Sequence, residues 1–214
     1  MRIAIDIDNT IVDYRKLIII YLNENHKDFQ KKYQLTNNLS INIIKDKIKN
    51  NLGDNIWQKV QALIYSSKEE IYFYENVQDA LYLIGDHGYS INLVSHKSKY
   101  GIGESSEINI REIAATRIYD WIYKNRFKKY ITGVNLCESL EEKIKCLVNL
   151  KPNIIVDDLL KVHIKYREIN KKEEVKHILF NGTNKSKDPD YLISEKITIK
   201  NNWTSVSNFI CKGE

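Results

Sequence analysis

The chain has 214 residues, 43% of them hydrophobic, enough for one substantial domain or a domain carrying an insert. A formal net charge of +5 suits a small anionic ligand, and no dense basic tract with interleaved aromatics marks a nucleic-acid binder. Two prolines and eight glycines argue against a repeat-turn β-sandwich, and Cys137, Cys146 and Cys211 are spaced neither as a disulfide frame nor as a zinc site, so reduced thiols are expected.

The first residues lead directly into RIAIDI, which reads as a buried strand with no signal peptide ahead of it. It ends in two carboxylates, Asp6 and Asp8. Residues i and i+2 of a strand share a face, so both acids are predicted to crowd one small volume. Like charges there repel and raise one pKa unless something neutralises them. Either the strand end is solvated, or it is a site for a cation and a proton transfer. Residues 14–73 change character: YRKLIIIYLNENH, SINIIKDKIKNNL and NIWQKVQALIY each show helical apolar spacing, with Ser40 as a candidate N-cap and no strand among them. The run LIIIYL is far too short to span a bilayer, so no membrane segment is expected and a cytoplasmic location is the default.

From Tyr74 onward helices and strands alternate. ENVQDALYLIGDHG reads as a helix stopped between Gly85 and Gly88, and YSINLVS as a strand ending in Ser95. A longer helix covers SSEINIREIAATRIYDWIYKN, followed by a short strand, KYITGV. ESLEEKIKCLVNL is a helix broken by Pro152, and NIIVDD is a buried strand ending in Asp157 and Asp158. The mixed-sign stretch Lys161–Lys176 reads as solvated surface. KHILF and KITIK read as further strands and TSVSNFICK as a terminal helix. This alternation predicts an α/β fold: a doubly wound, parallel, Rossmann-like sheet with a helical insert after the first strand. The core is assigned to residues 1–13 and 74–214, the insert to 14–73.

In an open α/β sheet ligands bind outside the carboxyl ends of the strands. Asp6, Asp8, Ser95, Asp157 and Asp158 all stand at such ends. Several carboxylates in one crevice need a hard cation, and Mg²⁺ prefers oxygen ligands. Ser95 taken alone is an ordinary turn residue.

With these residues in hand the sequence resembles the haloacid dehalogenase-like (HAD) phosphohydrolases. DIDNT fits their DxDxT signature, Ser95 of NLVSHK the second motif, Lys143 the lysine of the third, and the Asp157–Asp158 pair the fourth. Lys145 lies two residues on, and helix geometry aims it at a different face from Lys143. The residue 14–73 block looks like the C1-type cap that many members insert there. The resemblance implies Asp6 as nucleophile, Asp8 as general acid and base, Ser95 and Lys143 as phosphoryl-binding catalytic residues, and Thr10 as a buttress. It implies Mg²⁺ held by Asp6, Asp8 through its backbone carbonyl, and Asp158, with Asp157 behind them. His96 and Lys97 are candidate substrate contacts.

Within that resemblance an acid at Asp8 argues for phosphate-ester cleavage or phosphomutase chemistry over dehalogenation, since a leaving halide needs no proton. SHKSKYG, AATRIYDWI and IIVDD look similar to HAD hydrolases of bacterial capsule and lipopolysaccharide clusters, which implies a sugar or polyol phosphate as substrate. A 5'(3')-nucleotidase is the near alternative, with Trp57 as its base-stacking candidate. A non-catalytic binding module of the same fold is the alternative of another class. Polynucleotide-end processing would need a stronger basic pattern. Tyr72, Phe73 and Tyr74 read as core aromatics, YGIGESS as a turn more than a phosphate loop, and the glycosylation-like NGT and NWT as chance matches.

Overall fold

The computed structural model describes residues 1–66, 71–100, 108–171, 174–182 and 196–213. Among the described residues the strands are β1 (Arg2–Ile5), β2 (Ser90–His96), β3 (Ile131–Cys137), β4 (Ile154–Asp157), β5 (Lys176–Phe180) and β6 (Ile197–Lys200). They form one sheet in the order β3-β2-β1-β4-β5-β6, and every pairing is parallel. The helices are α1 (Arg15–Asn25), α2 (Lys27–Tyr33), α3 (Ile41–Leu52), α4 (Asp54–Ser66), α5 (Val77–Asp86), α6 (Ile110–Lys124), α7 (Leu140–Leu150), α8 (Leu160–Ile169) and α9 (Trp203–Lys212).

The central strands are apolar on both faces because helices cover both. Ile3, Ile5, Leu93 and Val156 point into a core shared with α5, α6, α9 and the helices that follow β1. Ala4, Val94 and Ile155 point the other way, onto Ile144 and Leu147 of α7 and Val162 and Tyr166 of α8. The chain runs outward from β1 through β2 to β3, then returns to place β4 on the other side of β1. Strand order therefore reverses between β1 and β4, and it is outside the carboxyl ends at such a reversal that open α/β sheets place their ligand crevice.

The helices α1–α4 leave the sheet after the first turn and rejoin it before α5. The two crossing segments run side by side: Asp13 N donates to Tyr72 O at 2.8 Å and Tyr74 N to Ile11 O at 3.0 Å. Ser40 caps α3 as its sequence context predicts, its Oγ accepting from Ile43 N at 3.3 Å. Phe73 stacks on Trp121 and Tyr74 meets Phe180 edge-on, so these aromatics serve the core.

Three details differ from the sequence reading. β1 stops at Ile5, so Asp6 and Asp8 lie beyond the regular strand. β3 continues past KYITGV to Cys137 as a half-exposed edge strand. The mixed-charge stretch read as surface includes α8, with Val162, His163 and Tyr166 buried on one side. Among the described residues no helix is long and apolar enough to cross a membrane.

Candidate active site

β1 gives way to a tight turn in which the amides of Ile11 and Val12 both donate to Ile7 O at 2.9 Å. Asn9 takes a left-handed φ of 56° in it, a conformation asparagine tolerates better than most residues. The Thr10 carbonyl accepts from the buried indole Nε1 of Trp203 on α9 at 2.8 Å. This turn and the end of β4 are tied directly, Asp6 N donating to Val156 O at 2.9 Å.

Into the crevice between them α7 delivers Lys143. Ser139 caps that helix, accepting from Glu142 N at 3.1 Å, and the Lys143 ammonium lies 2.7 Å from Asp6 Oδ1 and 2.6 Å from Asp157 Oδ2. All three side chains are almost fully buried. Burial opposes the Lys143 charge, but attraction to Asp157 and Asp6 outweighs it and holds the ammonium protonated. Lys145 is exposed, so Lys143 is the lysine brought to the acids.

Asp158 completes the cluster: a carboxylate oxygen from each of Asp6, Asp157 and Asp158 lies within 4.8 Å of the others. Three carboxylates around one ammonium leave excess negative charge in a buried place. Burial, then repulsion from Asp6, pushes Asp157 up to about 6, and burial with repulsion from Asp6 and Asp157 pushes Asp158 well above the usual carboxylate range. This all-oxygen donor set fits a hard divalent cation such as Mg²⁺. Asp157 spends one oxygen on Lys143 and the other on Leu159 N at 2.9 Å, which leaves Asp158 as the better direct donor of the pair.

Asp8 stands apart from this group. The alternation rule stops where β1 stops, and the Asp8 carboxylate turns to Lys97, with Tyr14 Oη donating to its Oδ1 at 2.9 Å. Like charges two residues apart are thus each given a lysine of their own, Lys143 for Asp6 and Lys97 for Asp8. Lys97 is fully buried, and desolvation draws its pKa down to about 7. Arg111 holds the strand end beneath it, donating to Lys97 O from Nε at 3.1 Å and from Nη2 at 3.0 Å.

Ser95 and Thr10 are buried at 1% and 0% exposure, and neither hydroxyl has a hydrogen-bond partner. Native interiors rarely leave such groups unmatched without a ligand or water to receive them. His96 is exposed, its Nε2 3.0 Å from Glu138 O. Residues 101–107, most of the YGIGESS stretch, lie outside the described residues. Trp57 lines a small cavity that reaches Asp8.

Behind the cluster is a polar pair that sequence reasoning missed. His163 Nε2 lies 3.3 Å from Asp157 O, and His163 Nδ1 lies 3.1 Å from His177 Nδ1 on β5. A carbonyl only accepts, so His163 carries its proton on Nε2 and His177 donates from Nδ1. Burial pushes His163 down to about 3 and His177 to about 4, which keeps both neutral. The only sequence signal was a pair of histidines in segments flanking the acidic strand.

No family model and no curated protein matches this sequence. Solved structures do. A candidate phosphatase from Clostridium difficile is similar at 15% identity and a TM-score of 0.57, over 98% of this chain and 97% of that one. YfnB from Bacillus subtilis, a candidate HAD hydrolase solved with magnesium bound, is similar at 11% identity and a TM-score of 0.55, over 98% and 97%. A dehalogenase is similar at 9% identity and a TM-score of 0.54, over 96% and 94%. At such identities the likeness is one of fold: the sheet and its helices have the Rossmann-like arrangement of HAD hydrolases.

Proposed function

We propose that this chain is a Mg²⁺-dependent phosphatase that hydrolyses a phosphate monoester of a small metabolite through an aspartyl-phosphate on Asp6. One observation carries the reading: the Lys143 ammonium sits between Asp6 and Asp157, at 2.7 and 2.6 Å, inside a cluster of three carboxylates. A structural ion pair needs one acid; three acids around one lysine suit a site completed by a cation and an anionic substrate.

Asp6, Asp158 and the Asp8 carbonyl hold Mg²⁺ in this reading, with Asp157 orienting them. The ion supplies positive charge that lets a phosphoryl group approach the acids. An Asp6 carboxylate oxygen attacks phosphorus and the ester P–O bond breaks. Asp8 gives its proton to the departing oxygen, then takes one from the water that attacks the aspartyl-phosphate. That second step frees inorganic phosphate and restores Asp6. The Lys143 ammonium and the Ser95 hydroxyl donate to phosphoryl oxygens as charge builds there. Thr10 buttresses the turn, and His96 and Lys97 flank the substrate side of β2.

Residues 14–73 form the cap over this site in the same reading. A sugar or polyol phosphate in surface-polysaccharide synthesis follows from the sequence resemblance. Trp57 beside Asp8 supports the second reading, a 5'(3')-nucleotidase. The acid at Asp8 weighs against dehalogenase chemistry. Hydrolysis of p-nitrophenyl phosphate with and without Mg²⁺, in the wild type and in Asp6→Asn, tests the proposal. Metal-dependent release lost in the variant is the expected result. No release from a broad panel of phosphate esters would leave a non-catalytic binding module.

A further inference from the structure

Asp8 closes one end of a cavity of about 30 Å³. The segment after β1 contributes Ile18, Ile41, Trp57 and Ile64 to its lining, together with the polar Asn9, Tyr14 and Gln61. The Tyr14 hydroxyl already donates to Asp8, so Gln61 and Asn9, whose buried Oδ1 has no partner, are the polar groups left to offer a ligand. Among the described residues no lysine, arginine or histidine lines it.

We propose that this cavity receives the alcohol part of the ester, and that it selects uncharged, largely apolar alcohols over polyols and over esters bearing a second anionic group. The inference rests on the phosphatase reading and narrows its substrate class, away from the sugar or polyol phosphate that the sequence resemblance implies. Each hydroxyl of a polyol leaves water on entering and needs a new partner. Three isoleucines supply none, the Trp57 ring offers a face to stack on, and two amides, Asn9 and Gln61, cannot serve every hydroxyl of a longer polyol. A second phosphate or a carboxylate would find no cation in the lining to pair with it, since the nearby Lys97 is already engaged by Asp8. The cavity is water-sized as it stands, so flat or short groups that part α1, α3 and α4 least are favoured.

The test compares kcat/KM for benzyl phosphate and glycerol 3-phosphate, both esters of primary alcohols, with glucose 6-phosphate and fructose 1,6-bisphosphate beside them. Benzyl phosphate is expected to lead by about tenfold or more, the discrimination that a few apolar contacts can give. Trp57→Ser and Ile41→Asn are each expected to narrow that ratio, and Ile41 is the milder site because it is already half-exposed. Equal or better turnover of glycerol or glucose phosphate overturns the inference while the phosphatase reading stands. If no ester is hydrolysed, the phosphatase reading fails, and calorimetry with benzylphosphonate and 2,3-dihydroxypropylphosphonate decides the selectivity alone. Tighter binding of benzylphosphonate supports the inference, and equal binding overturns it.

Discussion

Asp157 stands between two buried polar clusters of opposite kind. Its carboxylate joins Lys143, Asp6 and Asp158, a charged group with more acids than bases. Its carbonyl joins His163 and His177, a neutral pair whose mutual hydrogen bond closes without any ion. The charged cluster is unbalanced and, in the proposed reading, would gain from a cation and an anionic ligand. The neutral one is complete and gains only from staying as it is. A binding site and its mounting can thus be told apart by whether their polar groups balance.

The largest test of that contrast is Asp6→Asn, which removes a group that would touch the substrate. Phosphate release should fall by about 10³-fold or more, measured under single-turnover conditions. Lys143→Met strips the charged cluster of its one cation. Metal-free stability should drop by about 3–5 kcal/mol in urea unfolding, and added Mg²⁺ should restore part of it. If Mg²⁺ restores nothing, the acids do not bind the ion. His163→Phe attacks the mounting instead: a loss of about 1–3 kcal/mol is expected from the orphaned Asp157 carbonyl and His177, with weaker Mn²⁺ binding by paramagnetic resonance.

The pH dependence separates the two clusters further. His163 is held neutral, its pKa drawn from 6.5 to about 3, so the unfolded chain takes up the proton first. That contribution is full above about pH 6.5 and is lost as pH falls toward 3. Asp157, raised from 3.8 to about 6, runs the opposite way, and metal-free stability gains from it as pH falls from 6 to 4. The two offset one another near pH 5. Removing the imidazole in His163→Phe should therefore make the variant relatively more stable by about 1.4 kcal/mol per pH unit on acidification across that window. The smallest effect is expected for exposed Lys145→Ala, within about 0.5 kcal/mol and with unchanged phosphate release.

The sheet was legible because its strands are apolar until they end in polar residues: RIAI before Asp6, NLV before Ser95, NIIV before Asp157. Those abrupt ends also revealed which residues gather at the crevice. What stayed hidden depends on partners far apart in the chain. Nothing local says that Lys97 pairs with Asp8, 89 residues away, or that His163 meets His177. The helix α8 escaped notice because its buried stripe, Val162, His163 and Tyr166, is narrow and set among charges. β3 was read short because an edge strand needs no continuous apolar run.

The bond from Trp203 to Thr10 joins residues 193 positions apart. The turn that carries Asp6 and Asp8 is thus anchored from α9 as well as from its neighbours in β4. Without α9 the Thr10 carbonyl would lose that donor, a cost of about 1–3 kcal/mol for a buried polar group left unmatched.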